Sequence, residues 1–151
     1  MQYFKYQQVV EKGPDGRTLR VIFGENADTK EKIGVELATI DGVTYISLPD
    51  GEMLPEQHEE LIIESVELTD ELRETIKQSS SFCRMISEQC ITKIRERYSI
   101  DDEAYFSRIG VGAALGVYSF QPGEREQLLE FGEFVESVRR WGREQRASVG
   151  L

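Results

Sequence analysis

Hydrophobic positions along this chain follow two different periods, and the change falls at Thr69. Before it, apolar residues alternate with polar ones in short runs. After it, they recur every three or four residues almost to the last position. Alternation marks a strand with one face buried, whereas a spacing near 3.6 marks an amphipathic helix. The pattern predicts an α+β fold: an N-terminal antiparallel sheet of four to five strands over residues 1–68, followed by three C-terminal helices over residues 69–151, the first of them long.

In the first half, residues 3–10 read as a strand rich in aromatic and β-branched side chains. Gly13-Pro14-Asp15-Gly16 is turn chemistry, since proline presets one backbone angle and glycine accepts a positive one. Leu19, Val21 and Phe23 follow as one face of a second strand. Ile33, Val35 and Leu37 open a third that continues to Ile40. Asp41-Gly42 then links it to residues 43–48, and a two-residue Asp-Gly link between alternating runs favours a type I′ hairpin. An acidic loop leads to a short last strand over residues 61–67.

In the second half, Thr69 is a candidate N-cap, with Asp70 and Glu71 suited to the positive end of a helix. Leu72, Ile76, Cys83, Ile86, Cys90 and Ile94 trace one face, interrupted by Ser79. An unbroken helix to Tyr98 would have about 29 residues and be roughly 43 Å long, against a radius of gyration of about 15 Å for a domain of this size. Such a helix either bends at Ser79-Ser80-Ser81 or projects towards another subunit. The stripe is close to the 3.5-residue repeat of paired helices, and Phe82 and Met85 widen it. It therefore predicts self-association, most simply a two-fold dimer, with Ile76, Cys83, Ile86 and Cys90 as contact residues. Ser99-Ile100-Asp101-Asp102 has capping-box spacing and starts a short helix through Tyr105 and Arg108. Residues 110–123 read as a glycine-rich connection, and a last helix from Glu124 carries Leu128, Phe131, Val135, Val138 and Trp141 inward.

Charge narrows the functional classes. Of the net charge of −10, residues 1–68 hold 14 acids against 6 bases, and the helical half is nearly balanced. An acidic surface repels phosphate backbones, so direct nucleic-acid binding is not expected. Arg139, Arg140, Arg143 and Arg146 form one basic cluster, readable as a contact for an acidic partner or as cations at a helix C-terminus. The longest uncharged stretch, residues 109–123, has 15 residues and is broken by glycine and proline, too short to cross a bilayer. With no apolar signal segment at the start, the expected location is the cytoplasm, including association with a virion.

Candidate chemistry is sparse. Gly110-Val111-Gly112-Ala113-Ala114-Leu115-Gly116 has its third glycine one residue late for a dinucleotide loop, and a helix precedes it. His58 is the only histidine and lies among glutamates in a polar loop. Asp101, Asp102 and Glu103 are explained by a helix start. Cys83 and Cys90 are the only cysteines, too few with one histidine for a zinc site and, at seven residues apart in a helix, too distant for a bridge. No catalytic residue, cofactor or metal is expected.

One stretch carries a resemblance. Tyr98-Ser99, Asp102-Glu103 and Trp141-Gly142-Arg143-Glu144-Gln145, with the terminal Gly150-Leu151, resemble the C-terminal segments of small phage and prophage tail-region proteins of unassigned function. The similarity covers about residues 95–151, and the glycine-rich stretch 110–123 departs from the pattern. The resemblance implies a virion-related setting and no catalytic residues. The expectation is a non-enzymatic phage-type structural or assembly protein acting through protein–protein contacts, with itself and with other phage proteins. An acidic inhibitor that mimics DNA is the alternative, since carboxylates spaced like phosphates can fill a basic groove. A small enzyme with an unrecognised site, gathering His58 with carboxylates or a cysteine, is the third reading.

Overall fold

The computed structural model describes residues 1–10 and 16–151, and is an α+β chain with its strands first and its helices last. Most of the turn expected at residues 13–16 lies outside the described residues. Four strands form the main antiparallel sheet: β1 (Gln2–Gln7), β6 (Val35–Ile40), β7 (Val43–Leu48) and β8 (Ile63–Ser65), in the order β6-β7-β1-β8. Two short ribbons stand beside it, β2 (Val9–Val10) with β3 (Thr18–Leu19), and β4 (Gly24–Glu25) with β5 (Lys32–Ile33). The chain forms two compact units, Met1–Arg84 with Arg146–Leu151, and Met85–Gln145.

The hairpin joining β6 to β7 turns at Asp41 and Gly42, with φ of 50° and 81°. Positive φ at both positions is the type I′ turn, whose twist matches that of the strands it joins. Thr39 and Thr44 face each other across this hairpin, their hydroxyls 2.9 Å apart. A bulge between Glu36 and Ala38 inserts Leu37 as an extra residue. Its effect is to reverse the alternation within the strand, so that Val35, Leu37, Ala38 and Ile40 all join one apolar cluster.

Each face of the sheet carries its own apolar core. On one, Phe4, Tyr6 and Ile46 pack with Val9, Leu19, Val21 and Phe23 from the chain after β1, and with Leu54 and Leu61 from the long loop before β8. Gln57 pins that loop: its side-chain amide exchanges two 2.8 Å hydrogen bonds with the backbone of Ile22. On the other face, Tyr3, Leu37, Ala38 and Tyr45 pack with Leu72 and Ile76, with Phe82, and with Val149 and Leu151 at the C-terminus. Tyr3 donates a 3.2 Å hydrogen bond to the carbonyl of Gly150. Gly150 has φ of +85°, and a Cβ there would lie 2.2 Å from the Tyr3 hydroxyl oxygen. The last residues thus belong to the sheet's core.

The expected first long helix is two helices, α1 (Asp70–Ser79) and α2 (Ser81–Arg95). Ser80 is extended, with φ of −72° and ψ of 121°, and its Oγ accepts from the Cys83 N–H at 3.3 Å. Three consecutive serines favour this break because their hydroxyls compete with the helical ladder for backbone partners. Among the described residues the helices therefore number four, with α3 (Ile100–Ala114) and α4 (Glu124–Ala147), and the longest is the last. Thr69 caps α1 through Leu72 N–H, and Ser99 with Asp102 forms the capping box of α3. Residues 110–114, expected in a connection, belong to α3 because Ala113, Ala114 and the apolar positions there continue its ladder. Helix α1 lies in the same compact unit as the sheet, since its apolar side covers β6.

In the second unit the core is aromatic. Phe106 and Phe131 stack with centroids 5.0 Å apart, and Tyr98 meets Phe131 edge-on at 5.1 Å. Ile109 and Val138 are buried in the same unit.

Replacing Ile76, 1% exposed under the sheet, by alanine should lower unfolding free energy by about 2–5 kcal/mol. Gly150→Ala should destabilise by roughly 1–3 kcal/mol through backbone strain alone, with the Tyr3 contact adding to it. Chemical denaturation read by circular dichroism checks both. Wild-type midpoints for the pair would contradict this packing.

Candidate functional site

The most concentrated group of titratable side chains surrounds Glu124, the first residue of α4, which is 9% exposed. Its carboxylate accepts from the Tyr105 hydroxyl of α3 and from the Tyr118 hydroxyl, which lies 2.9 and 2.8 Å from the two oxygens. The backbone N–H of Gln121 donates to it at 2.7 Å. The hydrogen bonds from Tyr105 and from the Gln121 N–H hold the Glu124 carboxyl below the usual carboxylate range. The same contact pushes the Tyr105 phenol up to about 12, with desolvation and the carboxylate charge adding to it. Tyr118 is raised for the same first reason.

This cluster can hold a structure but is poorly arranged to turn over a substrate. Both carboxylate oxygens are occupied by donors from within the chain, and the phenols are neutral near pH 7. It ties α3 to the start of α4 through residues 115–123, and the N–H groups of Val117 and Tyr118 both donate to the Gly112 carbonyl, closing the turn. Sequence reading missed it because Tyr105, Tyr118 and Glu124 share no helical period. The one available signal was a glutamate at a helix start preceded by tyrosines.

The residues expected at a dimer contact are placed otherwise. Ile76, Cys83 and Ile86 are buried within the chain. Cys90 is half-buried, and its thiol contacts the Val138 carbonyl at 3.7 Å. Three members of the apolar stripe are thus taken up by intrachain packing, Met85 beside them is 44% exposed, and the break at Ser80 turns one long seam into two shorter ones. An Ile86→Asp change would be destabilising for that reason alone. Arg139, Arg140 and Arg143 are exposed, but they precede the last turn of α4, where only Arg146 stands. Arg143 pairs with Glu136 at 2.5 Å and holds that carboxyl below its ordinary range, with Arg139 and Arg140 assisting. The reading of all four arginines as C-terminal cations thus applies to Arg146 alone.

His58 is exposed in a turn, its Nδ1 accepting from the Glu60 N–H at 3.3 Å. Among the described residues, no group of three His, Cys, Asp or Glu side chains could hold a metal ion. No helix among them is long and apolar enough to cross a membrane. Three surface grooves lie on the two units: one of about 340 Å³ beside Lys5, Tyr45 and Glu64, one of about 320 Å³ between Lys93 and Trp141, and one of about 700 Å³ along α4. None of these three is lined by His58 or a cysteine. The described acids of the first half scatter: Glu36 shares a row with Ile46 on one sheet face, Glu64 pairs with Lys5 on the other, and most of the rest occupy turns and loops.

Apolar side chains cluster on the surface at the end of α3. Val111 and Leu115, four residues apart, are 60% and 72% exposed, and Val117 is 80% exposed. Single exposed apolar residues are ordinary, but a contiguous group is the usual mark of an interaction site. No family model matches the chain, and neither a curated protein nor a solved structure matches it.

The Glu124 cluster predicts two limbs of pH dependence. Its ionised carboxylate contributes stability that is complete above the ordinary carboxylate range and is lost as pH falls below it. Its neutral phenols contribute stability complete below pH 10.0 and lost as pH rises towards about 12. Titration of tyrosinate absorbance should show one of the six tyrosines ionising with a midpoint of about 12. Glu124→Gln should bring it back towards its ordinary value. Six tyrosines titrating together in the wild type would contradict the cluster.

Proposed function

We propose that this chain is a non-enzymatic protein of the structural or assembly kind, acting through contacts with other proteins. The exposed group Val111, Leu115 and Val117 is the observation that carries the reading. It lies on α3 and a turn fixed by two hydrogen bonds to Gly112, so its side chains are presented without prior ordering, which lowers the entropic penalty of binding. A partner of this surface covers apolar area, the main favourable term in association. The resemblance of residues 95–151 to phage tail-region proteins supports a virion-related setting, and other components of such a particle are the partners it suggests.

Two features weigh against the other readings. A DNA mimic needs a ribbon of carboxylates along one face, and the described acids are divided between opposite sheet faces, turns and loops. For an enzyme, the strongest titratable cluster has its carboxylate filled by internal donors.

Tagged chain presented with the products of its neighbouring genes should capture at least one of them. A Leu115→Ser/Val117→Ser variant, at these exposed positions, should retain the wild-type circular dichroism and lose that capture at least tenfold. Equal capture by both chains, or capture of none by the wild type, would refute the reading.

A further inference from the structure

Helix α4 segregates charge along its length. Its exposed positions before residue 138 include Glu126, Glu130, Glu133 and Glu136, and those after it include Arg139, Arg140 and Arg143. Arg125 and Glu144 are the exceptions. One side of the helix carries an open groove of about 700 Å³ lined by Leu128, Leu129, Gly132, Glu133, Glu136 and Arg140. Every lining residue comes from α4 itself, so this side is a helix face rather than a cleft between elements. Along it, Leu129, Glu133, Glu136 and Arg140 step by four, three and four residues, the spacing of a seam between paired helices. Apart from its chain neighbours and the helix's own backbone, no atom stands within 4 Å of where a Cβ on Gly132 would be, so the backbone there is open to close approach.

The charges on this face divide into those closing an ion pair and those closing none, although Arg140 adds to the field on Glu136. Glu130 is paired with Arg97, and Glu136 with Arg143. Among the described residues, Glu133 and Arg140 close no ion pair. They stand two turns apart with opposite sign on one seam. A two-fold axis crossing the seam at residues 136 and 137 brings Glu133 of one copy opposite Arg140 of the other, and does so twice; it also brings the two Glu136 side chains near the axis, each neutralised by its own Arg143. The same operation opposes the helix dipoles, which is also favourable. A surface that carries both halves of a complementary pair in mirrored order satisfies an isologous interface, in which one patch meets its own copy.

We propose that α4 is a self-association surface, on which a second copy of this chain docks antiparallel through reciprocal Glu133–Arg140 contacts flanking Glu136, with Leu129 towards the ends of the seam. The proposal rests on the reading of the chain as a contact protein and names one of its partners. The seam differs from the stripe of Ile76, Cys83, Ile86 and Cys90, three of which are buried within the chain. Exposed ion pairs contribute modestly and are screened by salt. The dimer is accordingly a weak one, favoured by high protein concentration and low ionic strength.

Charge reversal tests it in a way that folding cannot imitate. Sedimentation velocity at low salt and high protein concentration should show wild-type dimer, with at least tenfold weaker association of Glu133→Arg alone and of Arg140→Glu alone. Mixing these two variants in equal amounts should restore the dimer, because one then offers two cations on the seam and the other two carboxylates. A chain carrying both changes should also dimerise. Unchanged wild-type circular dichroism in each variant separates loss of contact from loss of fold. A wild type that stays monomeric at its highest soluble concentration overturns the proposal, as does a mixture that associates no better than its components. If that result comes with intact, Leu115- and Val117-dependent capture of a neighbouring gene product, the self-association fails while the contact-protein reading stands.

Discussion

The need to seat an apolar core on each face of the sheet is the constraint from which the rest of this structure follows. An antiparallel sheet often leaves one face to water, but here Tyr3 and Tyr45 project to one side of the strands and Phe4, Tyr6 and Ile46 to the other. Four short strands cannot cover themselves, so segments distant in sequence close over them. The chain after β1 and the loop pinned by Gln57 serve one face. Helix α1 and the final residues around Val149 serve the other. The bulge at Leu37 belongs to the same requirement, since it keeps both ends of β6 directed towards α1.

That constraint also redirects the functional argument. Of the apolar stripe that suggests an oligomer in the sequence, Ile76 is spent on the sheet, and Cys83 and Ile86 are buried within the chain. Surface left for a partner is then sought where the chain has not covered itself. The group at Val111, Leu115 and Val117 and the charged seam of α4 are two such places, one apolar and one polar. Glu124 bears on both, because its hydrogen bonds with Tyr105 and Tyr118 hold the turn that presents Val117 and begin the helix that carries the seam.

The α+β class, the Asp41-Gly42 hairpin, the Thr69 cap and the Ser99 capping box were legible in the sequence, because each depends on residues within a few positions of one another. Coverage of both sheet faces was not, since Val149 meeting Ala38 and Gln57 reaching Ile22 are encounters at long sequence separation. The Ser79-Ser80-Ser81 run marked a place where the first helix could bend. Resolving it as a break required knowing that Ser80 is buried and caps the next helix. Glycines at 110 and 112 suggested a connection, yet the helix continues through them because propensity yields to the ladder around it. Of the candidate site, the arginines and the exposed apolar positions could be named one by one. Their grouping into surfaces depends on helix ends that the pattern placed differently.

On the proposed reading the chain meets its partners through α3 and α4, while the apolar cores of the sheet and α1 serve the chain itself. Residue-level amide hydrogen exchange, compared between dilute protein and protein assembled with itself or with a captured partner, addresses it directly. Added protection is expected within residues 111–117 and 124–144. Added protection concentrated instead in β6, β7 or α1, with α3 and α4 unchanged, would contradict it.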